Sequence, residues 1–388
     1  MKQITSLGAN SLGKSTPLVS VVIPAYNASR TLAQTLDSVL AQTYPNIEII
    51  VVDDGSSDAT AEVLNAYGER VRNIYQPNKG LPGARNTGCL SARGEFIALM
   101  DADDLCVPER IAIQLGVLQN FPEAALCSTD FSAFNSNGLV AHSYGAMYYS
   151  TIKNTAGGLH SLYSEHGVVE IAASAWSPPQ QTRMIDTYSG TVYRKLVHGN
   201  FVHPPTVMFR RRVLEVAGMF DEALRYTCDW EWMVRVARTG PFVYVNHPLL
   251  EYRLSEVQMS SWHFNGGKGA VDVVQAAKKI WHSDPDLLSA NRHLMRRDLG
   301  EFCLDAAEAL VNHRKNDAVK MLVQSVWVYY TIKAATVRTT LKILLPRKLL
   351  MLTRQFLARL KIKEPAGLWF YLDGVGESVT SAMTSIVI

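Results

Sequence analysis

Apolar positions in the first hundred residues fall into short continuous runs separated by helical stripes. Residues 18–23 (LVSVVI) are rich in β-branched side chains and stop at Pro24, the mark of a buried strand. Ser29 is placed to cap the helix that follows. Its Leu32, Leu36, Val39 and Leu40 recur at i, i+4, i+7 and i+8 and so share one face. After a turn at 44–46 (YPN), residues 47–52 (IEIIVV) predict a second strand, followed by DDGSSD and a helix over 60–67. A third unit predicts a short strand at 73–75, a helix over 83–90 and a strand from Phe96 to Met100. Pro108-Glu109-Arg110 then opens another helix. Strand-helix alternation with short links predicts an α/β fold, a mostly parallel sheet with helices on both faces.

In such sheets ligands bind beyond the carboxyl ends of the strands. Polar clusters stand at three of those ends: Tyr26-Asn27, Asp53-Asp54, and Asp101 with Asp103. Each alone is more often turn and cap chemistry than a site, and Asp58 is assigned to that. As a set at equivalent positions they point to one crevice. Asp101, Asp103 and Asp104 follow directly on an apolar run, where three carboxylates repel one another. A hard dication, Mn²⁺ or Mg²⁺, relieves that repulsion and neutralises charge on a departing diphosphate.

The segments VSVVIPAYNASRTLAQTLDSVLAQTYPNIEIIVVDDGSSDAT, NKGLPGARNTG, GEFIALMDADD and FDEALRYTCDWEWMVRVA carry a resemblance. Together, over about residues 18–260, the chain resembles a family 2 glycosyltransferase of the GT-A fold. The resemblance implies inverting transfer of a sugar from a nucleotide-diphosphate donor, a UDP-sugar first, to a hydroxyl of a glycan or lipid-linked acceptor in surface polysaccharide or glycoconjugate synthesis. Pro24, Ala25 and Tyr26 match the loop that packs on the nucleotide base, with Asn27 beside them. Asp54, next to Asp53, matches the carboxylate that reads the base edge. Lys79 and Arg85 lie in the segment that supplies a basic residue over the nucleotide or its phosphates. Asp101, Ala102 and Asp103 match the stretch that holds ribose and metal, with Asp103 ranked before Asp101 as direct ligand. Arg253 is assigned to the diphosphate.

An acceptor hydroxyl needs a positioned carboxylate to take its proton. The family sets that base in an acidic pair opening a helix, and the matching letters are Cys228-Asp229, so Asp229 is the expected base. Cys228 departs from the usual acid. Glu231 is second choice, since two residues along a helix it points about 200° away. Trp230 and Trp232 fit a sugar platform or the core, and His203 fits the acceptor site or a satisfied loop. The processive signature Gln-x-x-Arg-Trp is absent from the sequence, which favours single additions. The rivals are a nucleotidylyltransferase, which needs a Gly-rich basic loop where Pro-Ala-Tyr-Asn stands, and a catalytically silent nucleotide-sugar-binding scaffold.

Residues 131–200 show no clear period, and residues 201–210 read as a loop feeding a strand. From about residue 270 helical patterns cover 271–281, 287–313 and 317–333. The expected division is a polar lead-in (1–17), a GT-A domain (18–265, its nucleotide-sugar half 18–130 and acceptor half 131–265), and a helical C-terminal region (266–388). A formal net charge of +3 hides an asymmetry: residues 318–363 hold ten Lys or Arg and no Asp or Glu. That stretch suits either peripheral contact with an anionic membrane or packing on protein, including a second subunit. Nucleic acid is not among the expected partners. Five scattered cysteines argue against a disulfide framework and fit a reducing cytoplasm. The expected location is cytoplasmic, at the inner membrane face where the basic stretch adheres. No run reaches the roughly 18 apolar residues of a membrane span.

Overall fold

A computed structural model describes residues 2–7, 16–171, 182–255 and 266–344, which divide between two compact units, Met1–Arg292 and His293–Ile388. The first unit is built on one mixed sheet. In chain order its strands are β1 (Lys2–Leu7), β2 (Val19–Ala25), β3 (Ile47–Asp53), β4 (Arg72–Tyr75), β5 (Phe96–Leu99), β6 (Leu105–Cys106), β7 (Leu126–Asn135), β8 (Gly138–Ala141), β9 (Glu165–Ile171), β10 (Arg183–Gly190), β11 (Met208–Arg210) and β12 (Phe242–Arg253). The strands lie in the order β1-β9-β10-β12-β7-β11-β5-β2-β3-β4, with β6 on β12 and β8 on β7.

The half formed by β5, β2, β3 and β4 is parallel throughout, as the alternation required. Its core strand β2 is buried at every position, which is why the sequence shows a continuous apolar run rather than alternation. Beyond β5 the sheet turns mixed: β11 runs antiparallel to β5 and β7, and β12 is parallel to β7 but antiparallel to β10. Four helices of this half matter below: α1 (Leu32–Leu40), α2 (Thr60–Tyr67), α3 (Gly80–Ser91) and α4 (Arg110–Asn120). Helix α3 lies hard against β2 and β3. A methyl at Gly88 would come within 2.3 Å of Val22 Cγ1 and 3.4 Å of Val52 Cγ2, so only glycine allows this approach.

Two stretches read as irregular turn out to be strands. Residues 2–7, taken as lead-in, pair in parallel with β9 and cover backbone groups that an edge strand leaves open. In the aperiodic stretch 131–200, β7 is buried on both faces over most of its length, and the inward positions of β10 include polar Thr187 and Ser189. Neither produces a period-two apolar pattern.

The first unit also contains α5 (Cys228–Val236) and α6 (Lys268–His282), the latter assigned from sequence to the C-terminal region. The helix expected over 287–313 is interrupted at Asn291, giving Pro285–Ala290 and α7 (Arg292–Leu310). The Asp284 side chain accepts from Leu287 N and starts the first of these, a cap followed by proline that the periodicity alone obscured. In the second unit, α8 (Lys315–Val323) continues as a wider turn over Gln324–Val328, and α9 (Ala334–Leu344) follows. Arg338 and Lys342 of α9 pair with Glu308 of α7 at 2.6 and 3.5 Å. Part of the basic stretch therefore packs on protein, while its residues 345–363 lie outside the described residues. No helix among the described residues is long and apolar enough to cross a membrane.

Candidate active site

Register brings the three polar clusters together. Ala25 pairs with Asp53 across β2 and β3, and Val22 with Leu99 across β2 and β5, so the loops after these strands open on one crevice. The loop after β2 is tied to the loop after β3. Asn27, in the left-handed region at φ 51°, donates its N–H to Ser56 Oγ (2.9 Å) and accepts from Ser57 N (2.8 Å). Tyr26 is left 55% exposed at its head. Asp58 accepts from Ser29 and Thr60; burial works against ionisation, but these hydrogen bonds bring its carboxyl down to about 2. That is the turn chemistry expected of it.

Asp53 and Asp54 are both nearly buried. Asp53 accepts from Ser56 N at 2.9 Å. Both Asp54 oxygens are engaged inside the protein: Oδ1 accepts from Gln76 Nε2 (2.6 Å) and Lys79 N (2.8 Å), Oδ2 from Gly80 N (2.8 Å). Asp54 thus anchors the first turn of α3. Lys79 contributes its backbone N–H to this anchor while the residue itself is exposed.

The acid-rich loop after β5 is held from three sides. Thr31 and Thr35 of α1 donate to Ala102 O (2.9 and 3.0 Å), and Thr35 also to Asp104 O (2.8 Å). Arg253, at the end of β12, donates Nε to Asp103 O (2.7 Å) and its backbone N–H to Asp104 Oδ1 (3.0 Å). Arg110 donates Nη2 to Leu99 O (2.9 Å) from within the core. Asp104 is fully buried; burial, then the charges of Asp103 and Asp101, push its carboxyl well above the ordinary range. That shift toward the neutral form is one answer to the crowding of the three acids.

The other answer is Arg85. Its side chain on α3 is 2% exposed and donates Nη2 to Asp101 Oδ1 at 2.9 Å, Asp101 being 30% exposed. The guanidinium lies 5.8 Å from the Phe220 ring centre and interacts with Cys228 and Asp229. Arg85 is thus a buried cation paired with Asp101.

Asp229 sits in the first turn of α5, partly buried. Burial raises its carboxyl above the ordinary value of 3.8, with the Asp101 charge adding; Arg85 and the N–H groups of Trp230 and Asp229 itself oppose the rise. The entry to α5 is fixed from α6, where Asp272 Oδ2 accepts from Tyr226 N (2.8 Å), Thr227 N (2.9 Å) and Thr227 Oγ1 (2.9 Å). No local pattern announces Asp272, because it acts 45 residues away from Thr227. Cys228 is buried and its thiol pushed up to about 12, chiefly by burial. Glu231 faces elsewhere, bonded through both oxygens to Arg235 at 2.8 Å. Trp230 and Trp232 are core residues whose indole N–H groups reach Leu196 O and Gly218 O.

Beside Asp229 lies an aromatic wall that sequence reasoning missed. The Tyr149 hydroxyl lies 3.2 Å from Val202 O and 3.1 Å from His203 Nδ1; His203 stacks on Phe131 with ring centres 4.0 Å apart. Tyr148 and Tyr252 pack edge-on to the same histidine. Burial, then Arg85 and Arg110, hold the His203 imidazole at about 3, so it is neutral. Burial first, and neighbours that include Asp229 and Asp101, push the Tyr149 hydroxyl well above its usual value. A cavity of about 10 Å³, room for one water, is lined by Ser128, Asp130, Tyr149 and His203 among others.

A model of glycosyl transferase family 2 matches residues 20–216. An uncharacterized glycosyltransferase of Rickettsia prowazekii is 26% identical over 289 residues, 74% of this chain and 80% of that one. The uncharacterized glycosyltransferase EpsJ of Bacillus subtilis is 45% identical over 91 residues, 23% of this chain and 26% of its own. Among solved structures, S. aureus TarS aligns with a TM-score of 0.52 at 16% identity, over 89% of this chain and 53% of its own length. That likeness is one of fold, the GT-A arrangement. The chain belongs to glycosyl transferase family 2.

Proposed function

We propose that this glycosyltransferase moves a sugar, with inversion and one residue at a time, from a nucleotide-diphosphate donor, UDP-linked in the first instance, to a hydroxyl of a glycan or lipid-linked acceptor. The observation that carries this reading is Asp229. It is a carboxylate raised by burial, set at a helix start, and sharing the Arg85 cation with Asp101.

In this reading Asp229 accepts the proton of the acceptor hydroxyl as that oxygen attacks the anomeric carbon. The opposite bond, from carbon to diphosphate oxygen, breaks, and the diphosphate leaves with the electron pair. Tyr26 and the loop after β2 cover the nucleotide. The aromatic wall of Tyr148, Tyr149 and Tyr252 faces the acceptor, and the tie between Tyr149 and His203 keeps it rigid.

The acid-rich loop fits a hard cation, Mn²⁺ or Mg²⁺. Among the described residues no group of three His, Cys, Asp or Glu side chains is arranged to hold an ion. Such ions commonly take only one or two carboxylates and complete their shell with substrate phosphate and water. Asp103 is the first ligand on this reading, since one Asp101 oxygen is committed to Arg85. The bound ion would supply positive charge for the leaving diphosphate.

Titration with a panel of UDP- and GDP-sugars with and without Mn²⁺, followed by assay of diphosphate release and transfer, tests the reading. The Asp229→Asn variant should keep donor affinity and lose transfer by about 10²- to 10⁴-fold. Unimpaired transfer by that variant would remove Asp229 as the base. One feature favours the silent-scaffold alternative: Cys228, neutral and buried where the family usually has an acid. Donor binding by the wild type without any turnover would establish that alternative.

A further inference from the structure

Helix α6 has one charged side chain among its buried positions. Ala270, Val274, Ala277, Ile280 and Trp281 turn inward, as an amphipathic helix requires, and Asp272 turns inward with them, 7% exposed. A buried carboxylate is costly unless hydrogen bonds replace its water. A single oxygen, Oδ2, takes three of them, from the Tyr226 and Thr227 N–H groups and the Thr227 hydroxyl.

These three groups stand directly ahead of Asp229. Thr227 is the N-cap of α5, yet its hydroxyl is spent on Asp272 and caps no N–H of the first turn. The order of that turn therefore depends on where Thr227 itself is held. Its carbonyl accepts the Glu231 N–H at 3.3 Å, closing the turn that carries Asp229. A shift of Thr227 is thus passed on to the Asp229 carboxylate. Helix α6 and its C-cap grip the same segment on either side. Lys279 pairs with Asp221 ahead of α5, and Arg238 beyond it donates Nη2 to Ser283 Oγ at 2.9 Å and lies 3.7 Å from Asp284. Those two grips are partly exposed, with Lys279 52% and Arg238 34% open to solvent, and exposed pairs hold weakly. Asp272 is the buried member of the three.

We propose that Asp272 is a positioning residue for the transfer: by fixing Thr227 from α6 it aims the Asp229 carboxylate at the acceptor hydroxyl. This rests on the reading of Asp229 as the base. Asp272 itself touches no reacting atom. Displacing a catalytic group by about 1 Å is enough to cost about 10²-fold in rate.

The test compares Asp272→Ala with Asp272→Asn in the full chain, below the melting temperature of both. The asparagine keeps an oxygen that accepts the same three hydrogen bonds; the alanine has none. UDP release and transfer are measured with the donor of the sugar panel that wild type turns over fastest, donor affinity by titration, and amide exchange at Glu231. Asp272→Ala should lower kcat by about 10- to 100-fold, leave donor affinity unchanged and speed exchange at Glu231. Asp272→Asn should restore all but a small part of both losses, which general damage to the fold would not explain. Asp272→Ala with the wild-type kcat overturns the proposal. So does a fall in kcat matched by an equal fall in donor affinity, or an Asp272→Asn variant as slow as the alanine. If Asp229→Asn transfers normally, the reading of the base falls and the aim falls with it, whereas exchange at Glu231 reports the grip independently.

Discussion

Arg85 illustrates how much a single buried charge governs here. A cation that is 2% exposed gains little from water, so its partners must supply the compensation, and Asp101 and Asp229 do so from different segments. The Asp229 carboxyl lies above its ordinary 3.8, and only its ionised form accepts a proton. The transfer rate should therefore fall as pH drops through that raised value, placing the acid limb of kcat above 3.8. Removing the cation with Arg85→Gln withdraws what opposes the rise. The limb should then move further up in pH, which a kcat profile of the two proteins would reveal; an unmoved limb would exclude this coupling. Asp229 and the acids at 101 and 103 were legible in the sequence because their spacing along single segments carries the signal. The duties of Arg85 and Asp54 were not. Both depend on pairing across 16 or more residues, such as Arg85 with Asp101 and Asp54 with Gly80, and the residue types suit several roles.

Helix α3 shows the same at the scale of an element. Its sequence predicts a helix, yet its start is secured by Asp54 from the preceding β3 loop, which takes up two of the N–H groups that a helix start leaves open. Asp54→Ala should cost about 1–3 kcal/mol by urea unfolding, because the buried Gln76 amide and the part-buried N–H groups of Lys79 and Gly80 lose their acceptor. Donor affinity should fall with it as the turn at Lys79 and Gly80 loosens. Helices and strands of the first hundred residues were legible through their apolar faces. The strands between residues 126 and 190 were not, since β7 is buried on both sides and β10 turns Thr187 and Ser189 inward. α5 lay between the two cases: its helical start is apparent from sequence, which left Trp230 and Trp232 open between a sugar platform and the core, whereas the Asp272 that fixes its entry comes from another helix.

For the molecule as a whole, the second unit has its own ionic lock. Glu308 binds Arg338 and Lys342, tying α9 to α7. Glu308→Ala should accelerate amide exchange over Ala334–Leu344 and leave donor affinity as it was; a drop in donor affinity would show that this lock also serves the catalytic unit. The sheet order has a consequence for how the chain is made. β12 lies inside the sheet, between β10 and β7, yet it is the last of the strands to leave the ribosome. The β4-β3-β2-β5 half can assemble while translation continues, but the gap beside β7 stays open until Arg253 has emerged. A nascent chain stalled after residue 216, where the family match ends, would hold the nucleotide-side strands and neither Asp229 nor Arg253. An incomplete chain thus exposes an unfilled strand slot to its neighbours.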